Sequence, residues 1–284
     1  MPFVVFYKIF ELVFHSARQD DRIVKNLISK VGVEMSNEIQ SVARTFTIIE
    51  YLSKSARAMS LKEISTACSL PLTTTHRLLN SLCSLDYATN ESNGHYRLSY
   101  KLFEVSSKIV SQTNLISIAK PILDDLSERL GESVHLVVRS GNNIVYVYKV
   151  VCAIGSIQMA SRIGMTLPMY RCAVGKVILS TLDDAEIIDI FNSSEIVATG
   201  PNTIVNLEKF LEEINKIRQL GYAVDDEENE KGIKCVAVSL ACKSENASYA
   251  FSVSSIKSRL PEPRVRKIAE IMLEVKTKIE NMLI

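Results

Sequence analysis

A chain of 284 residues with 47% hydrophobic content is long enough for two domains and apolar enough to fill their cores, which excludes an intrinsically disordered protein. A formal net charge of +1 excludes a globally basic nucleic-acid coat but leaves room for a local basic face. The 6 cysteines form no CxxC pair and no zinc spacing with the 4 histidines, so neither a disulfide scaffold nor a metal is expected, and a reducing cytoplasm suits them.

Residues 1–14 are apolar, but Lys8 and Glu11 interrupt them, and neither a basic start nor a small-residue cleavage site flanks them. Met35 stands just ahead of the first convincing helix. Residues 1–36 therefore read as an N-terminal extension of doubtful origin, with residues 1–34 dispensable and Met35 a candidate native start. No apolar run reaches the roughly 18 residues of a membrane span, so no membrane partner is expected.

The next segment, residues 37–100, has the pattern of a small helical domain. Val42, Phe46, Ile49 and Leu52 recur every three or four residues and predict a helix with one apolar stripe. Ser60-Leu61-Lys62-Glu63 is a capping box that opens a second helix burying Leu61, Ile64 and Cys68. Ser69-Leu70-Pro71 stops it, and a third helix starts near Leu72 with Leu78, Leu79, Leu82 and Leu85 inside. Two short strand-like runs, residues 87–89 and 96–98, flank an Asn93-Gly94 turn signal. Three short helices with a tight break before the third, then a hairpin, describe a winged helix-turn-helix.

Residues 101–116 read as a linker helix, and residues 117–284 as a larger second domain. A helix from Ser117 is stopped by Gly131. Strand patterns follow over residues 134–139, 144–151 and 156–162, then a short helix over 175–179 and helices over 183–191 and 207–220. The last of these has Asn206 as its N-cap and Gly221 as its stop. Strands over 222–224, 235–240 and 249–253 precede a final amphipathic helix carrying Val265, Ile268, Met272, Val275 and Ile279. Hairpins mixed with helices indicate an α+β fold with a mainly antiparallel sheet.

The third helix opens Thr73-Thr74-Thr75-His76-Arg77. A major groove admits a helix whose first residues face base edges and phosphates, and hydroxyls, imidazole and guanidinium all bond there. On the wing, His95 and Arg97 flank the turn, where arginine suits the backbone or minor groove. The basic residues of this domain (Arg44, Lys54, Arg57, Lys62, Arg77, Arg97) outnumber its acids (Glu50, Glu63, Asp86, Glu91). A double-stranded DNA operator is the expected partner, bound by a homodimer or homotetramer on a pseudo-palindromic site. The same threonines also serve a plain helix cap, and the same wing a solvated hairpin, so residue by residue both readings stay open.

The motifs, taken in order, resemble the IclR (isocitrate lyase regulator) family. The likeness runs through Leu70-Pro71, Thr75-His76-Arg77-Leu78-Leu79, Leu85-Asp86-Tyr87, Tyr96-Arg97-Leu98 and Lys101-Leu102-Phe103-Glu104. It returns in Ser161-Arg162-Ile163-Gly164, Leu167-Pro168-Met169-Tyr170, Gly175-Lys176, Gly221-Tyr222, Asp225-Asp226-Glu227-Glu228 and Gly232-Ile233-Lys234-Cys235-Val236-Ala237-Val238. Leu102-Phe103-Glu104, Val145-Tyr146 and Met159 to Gly164 are similar to the branch that governs sugar-acid catabolism, that of the ketodeoxygluconate regulator. The resemblance implies a transcriptional regulator, expected to be a repressor, with a GAF-like second domain that binds a small organic acid. It implies effector contacts at Asp225, Cys235, Ser252 and Ser254, backbone amides at Ala173 and Val174, and an apolar wall of Met159, Leu167 and Ile233. Three features depart from the family: Ser239 where proline is usual, the polar stretch 241–248, and Arg171-Cys172 before the helical loop.

By charge alone, the acidic run 225–230 is a solvated loop, and Cys235 in an apolar strand is a packed core residue. Two rival functions remain from the residues themselves. One is a cysteine-dependent enzyme built on Cys235, although no GxSxG, Walker A or GxGxxG motif is present. The other is a winged-helix module that contacts protein. No cofactor is expected for any of these readings.

Overall fold

The computed structural model describes residues 39–91, 93–112, 114–151, 160–242 and 247–283. The N-terminal extension therefore lies outside the described residues, as does Met159. The chain divides into two compact units, one ending at Leu102 and the other beginning at Phe103.

In the first unit α1 (Gln40–Ser53) is followed by β1 (Met59–Ser60), α2 (Leu61–Ala67), α3 (Leu72–Ser84), β2 (Ala88–Asn90) and β3 (His95–Leu98). The capping box forms as the sequence expects: the Glu63 amide donates to the Ser60 hydroxyl, and the Ser60 amide donates to the Glu63 carboxylate at 2.8 Å. The Arg57 guanidinium, 2.6 Å from Glu63, and these hydrogen bonds pull that carboxyl down to about 2. Replacing Ser60 with alanine is expected to destabilise the protein by about 1 kcal/mol, read as a lower urea midpoint for the full chain. α2 ends on Ser69 in left-handed conformation (φ 52°), and the Leu70 amide reaches back to the Ser65 carbonyl at 3.0 Å. That closure makes the turn between α2 and α3 short.

The core of this unit joins Ile48, Leu52, Ile64, Leu79, Leu82, Ala88 and Tyr96. Val42 and Phe46, expected on the buried stripe of α1, are instead 49% and 57% exposed. Periodicity defines an apolar face but not what covers it; here Ile48 and Leu52 face inward. The sheet has the order β1-β3-β2, so the wing carries a third strand the sequence did not signal, two residues long and paired Met59 to Tyr96.

α4 (Lys101–Gln112) carries the chain from one unit to the other. The second unit contains α5 (Asn114–Leu130), β4 (Ser133–Ser140), β5 (Asn143–Val150), β6 (Thr166–Pro168), α6 (Ala173–Leu179), α7 (Asp184–Ser193), α8 (Leu207–Leu220), β7 (Ala223–Asp226), β8 (Ile233–Leu240), β9 (Tyr249–Ile256) and α9 (Glu262–Asn281). Leu115 and Ile116, assigned by sequence to the linker, are buried in the core of this unit. Of the strand expected over 156–162, residues 156–159 lie outside the described residues, and residues 160–162 are not extended in a sheet. β6, which the sequence did not signal as a strand, pairs with β5. Asn206 caps α8 as expected, accepting from the Lys209 amide, and Gly221 ends it in left-handed conformation.

Among the described residues the six strands of this sheet run β6-β5-β4-β9-β8-β7, and every neighbouring pair is antiparallel. The α+β architecture with an antiparallel sheet is the one expected. Alternation along each strand separates two faces. Val134, Leu136, Val236, Val238, Phe251 and Val253 pack with α5 and α9. Val137, Ala237 and Ala250 pack with α6, α7 and α8. α6 lies very close to the turn before it: a Cβ on Gly175 would stand 2.2 Å from the Met169 carbonyl oxygen, so only glycine fits there.

Candidate DNA-binding and effector sites

On α3, Thr73, His76 and Arg77 are exposed and Thr74 is half-buried. Thr75 corrects the expectation. It is fully buried, and its hydroxyl donates to the Pro71 carbonyl at 3.1 Å. Five consecutive residues cannot share one helix face at 3.6 residues per turn, and Thr75 falls on the inner one with Leu79 and Leu82. On the wing, Gly94 (φ 76°) makes the turn, and the Asn93 side-chain oxygen accepts from the His95 amide at 3.1 Å. Arg97 is exposed but ion-paired to Glu91 at 2.5 Å, so it must exchange that carboxylate for phosphate to contact a duplex. His95 is half-buried, with Nδ1 3.2 Å from the Asn93 carbonyl.

In the second unit the register aligns the expected effector residues. Asp225 on β7 faces Cys235 on β8, which faces Ser254 on β9. One row along, Ala237 faces Ser252, which faces His135 on β4, which faces Lys149 on β5. All lie on the side of the sheet covered by α6. Ala173, Val174 and Leu167 are buried in the same cluster, with Cys235 packed against it. Ile233, two residues before Cys235 on β8, is buried on the same side. The first amides of α6 have no carbonyl within their own helix to bond, and the helix begins at Ala173.

The acidic run is not a solvated loop. Asp225 is 4% and Glu228 6% exposed. The Glu228 amide donates to Asp225 at 2.7 Å, and burial pushes the Asp225 carboxyl up to about 6. Lys176, fully buried on α6, donates to Glu228 at 2.5 Å and to the Val224 carbonyl at 2.7 Å, and lies 3.4 Å from Glu213. Burial works against its charge, but Glu228 and Glu213 outweigh it and hold the ammonium protonated. Glu228 is pushed up to about 7 by burial, against the pull of Lys176.

Sequence reasoning did not single out a second polar group beside this row. His135 is buried, with Nε2 2.9 Å from the Ser161 hydroxyl and Nδ1 3.4 Å from the Ser254 hydroxyl. Lys149 donates to the Ser161 carbonyl at 2.5 Å and to its hydroxyl at 3.0 Å. The Tyr146 ring meets the imidazole edge-on, with centroids 5.4 Å apart. The one local signal was a histidine at an alternate position of β4 among apolar neighbours. Burial also raises the Cys235 thiol far above its usual range. A reactive cysteine needs the opposite shift toward thiolate, which weighs against the enzyme reading. Among the described residues no group of three or more His, Cys, Asp or Glu could hold a metal, and no helix is long and apolar enough to cross a membrane.

Residues 41–92 match the IclR helix-turn-helix domain, and residues 107–281 match the bacterial transcriptional regulator IclR C-terminal domain. The chain belongs to the IclR family of bacterial transcriptional regulators. It is 33% identical to the HTH-type transcriptional regulator XynR of Escherichia coli K12 over 233 residues, covering 82% of this chain and 92% of XynR. It is 29% identical to the HTH-type transcriptional repressor AllR of the same strain over 245 residues, covering 86% and 90%. Its fold matches that of an IclR homologue from Microbacterium hydrocarbonoxydans solved with 4-hydroxybenzoate, with TM-score 0.75 and 20% identity, covering 86% of this chain and 98% of the other. As an IclR-family member it is a DNA-binding regulator and not an enzyme.

Proposed function

We propose that this IclR-family chain is a cytoplasmic repressor whose hold on its operator is released or tightened by a small carboxylate, derived from a sugar acid, bound in the second unit. The observation that carries the reading is the row Asp225, Cys235, Ser254, laid out by strand register beneath the start of α6. Hydroxyl donors at Ser252 and Ser254 and the free amides of Ala173 and Val174 suit a carboxylate. Asp225 suits an effector hydroxyl, because its carboxylate accepts. Leu167 and Ile233 supply the apolar wall. On the DNA side, Thr73, Thr74, His76 and Arg77 meet the major groove and His95 and Arg97 the flanking backbone, with Thr75 removed from the contact set. The unit pairs as a homodimer or homotetramer through exposed apolar surface such as Ile39 and, on α1, Val42 and Phe46. Effector and operator are coupled through α4 by differential binding to two states.

The test is a thermal-shift series with pyruvate, 2-keto-3-deoxygluconate, galacturonate and 4-hydroxybenzoate. A specific ligand at a hundred times its Kd stabilises by about 2.7 kcal/mol, and Ser254→Ala, losing one hydrogen bond and about tenfold in affinity, should roughly halve that gain. If none of the four stabilises a protein that still binds its operator, the effector reading is wrong.

A further inference from the structure

The His135 group lies one strand from the effector row, and its hydrogen bonds have a direction. We propose that Lys149, Ser161 and His135 are positioning residues that free the Ser254 proton for the effector, so that an effector acceptor oxygen is favoured at Ser254 over a donor group. The inference rests on the effector-site reading above.

An ammonium only donates. Lys149 Nζ, 3.0 Å from Ser161 Oγ, therefore fills one lone pair of that oxygen, and the Ser161 proton can go to His135 Nε2 at 2.9 Å. The nearby cation also favours a ring lone pair on its own side and the N–H on the far side. Burial, with the Lys149 charge second, lowers the imidazole pKa to about 3, so the ring is neutral at physiological pH. A neutral ring that accepts at Nε2 carries its proton on Nδ1, and Nδ1 stands 3.4 Å from Ser254 Oγ. Ser254 then accepts from His135, and its own proton is left to point elsewhere. Its cross-strand partner is Cys235, with Asp225 beyond it on the same row. The edge-on Tyr146 ring holds the imidazole plane. The relay spans four elements: β5, the segment at Ser161, β4 and β9.

The test has two arms on the full-length protein. Long-range nitrogen–proton NMR of histidine-labelled protein should show His135 as the neutral Nδ1–H tautomer from pH 5 to 8, and Lys149→Met should shift it toward Nε2–H. An Nε2–H ring in the unaltered protein, or one that titrates near pH 6.5, overturns the relay. In the second arm, the four carboxylates named above are titrated against two variants. His135→Asn keeps a side-chain N–H near the Nδ1 position and should bind within about threefold of the parent. His135→Phe keeps the packing but not the donor, and should bind about tenfold more weakly, the effect of one lost hydrogen bond. Equal binding by the two variants overturns the specificity role. If no carboxylate binds the parent protein, it is the effector reading that has failed, and the tautomer measurement still decides the relay.

Discussion

Replacing Lys176 with methionine is expected to destabilise the second unit by about 3–5 kcal/mol, the usual effect of removing one partner of a buried ion pair. Methionine fills much the same volume. What is lost is the cation that compensates Glu228, which is 6% exposed and has one carboxylate oxygen without a hydrogen-bond partner. Restoring neutrality with Lys176→Met plus Glu228→Met should recover most of the loss, because a well-packed apolar pair is often as stable as the ionic one. The loss should also depend on pH. Glu228 is already pushed up to about 7 by burial, and Asp225 to about 6. Without Lys176 both rise further, so the folded variant binds protons that the unfolded chain has released. Where the folded state binds more protons, stability falls as pH rises. The variant should therefore lie closest to the parent near pH 5 and furthest near pH 8, diverging by up to about 1.4 kcal/mol per pH unit for each of the two carboxyls that stays protonated. Urea unfolding followed by circular dichroism at three pH values measures this. A gap that is constant with pH would mean that Lys176 acts through packing alone.

The second large effect is expected on DNA. Arg77→Ala should weaken binding to an operator selected from random duplexes by about 1–3 kcal/mol, roughly 5- to 150-fold. If Arg77 contacts phosphate, the salt slope should also fall by about one and the loss should be uniform across sequences. If it reads guanine, specificity at one position should relax instead. Thr75→Val is the internal contrast. Its buried hydroxyl donates to the Pro71 carbonyl, just ahead of α3, so the variant should lose about 1 kcal/mol of stability and keep its operator affinity at temperatures where it is folded. Fluorescence anisotropy at several salt concentrations separates these outcomes. An unchanged Arg77→Ala affinity would remove the start of α3 from the interface.

What could be read from the sequence was what local chemistry decides. The Ser60–Glu63 box, the Asn93-Gly94 turn, and the Asn206 and Gly221 ends of α8 each involve residues within a few positions of one another. Face assignment was harder. The helix α1 was legible, yet Val42 and Phe46 of its expected apolar stripe are exposed and Ile48 and Leu52 face inward, because periodicity carries no information about the covering element. Thr75 was assigned outward with its neighbours although the helical phase turns it inward. The effector row became visible only through family motifs, since strand register brings Asp225, Cys235 and Ser254 together from three strands. Lys176 and Glu228 are 52 positions apart, and His135 and Ser254 are 119 apart. No spacing rule reaches that far, and a buried pair looks in sequence like two ordinary surface charges.

The Lys176 ammonium has one more effect. β7 is the last strand of its sheet, and an outermost strand offers bare carbonyls to any passing chain. Here the Val224 carbonyl is taken by Lys176 and the Asp226 carbonyl by the Asn202 side chain at 2.8 Å. The β7 margin is thus a poor template for a foreign strand. On the opposite side β6 ends in Pro168, which has no amide to give. A chain lacking Lys176 should be more prone to aggregate along that β7 border even before it unfolds.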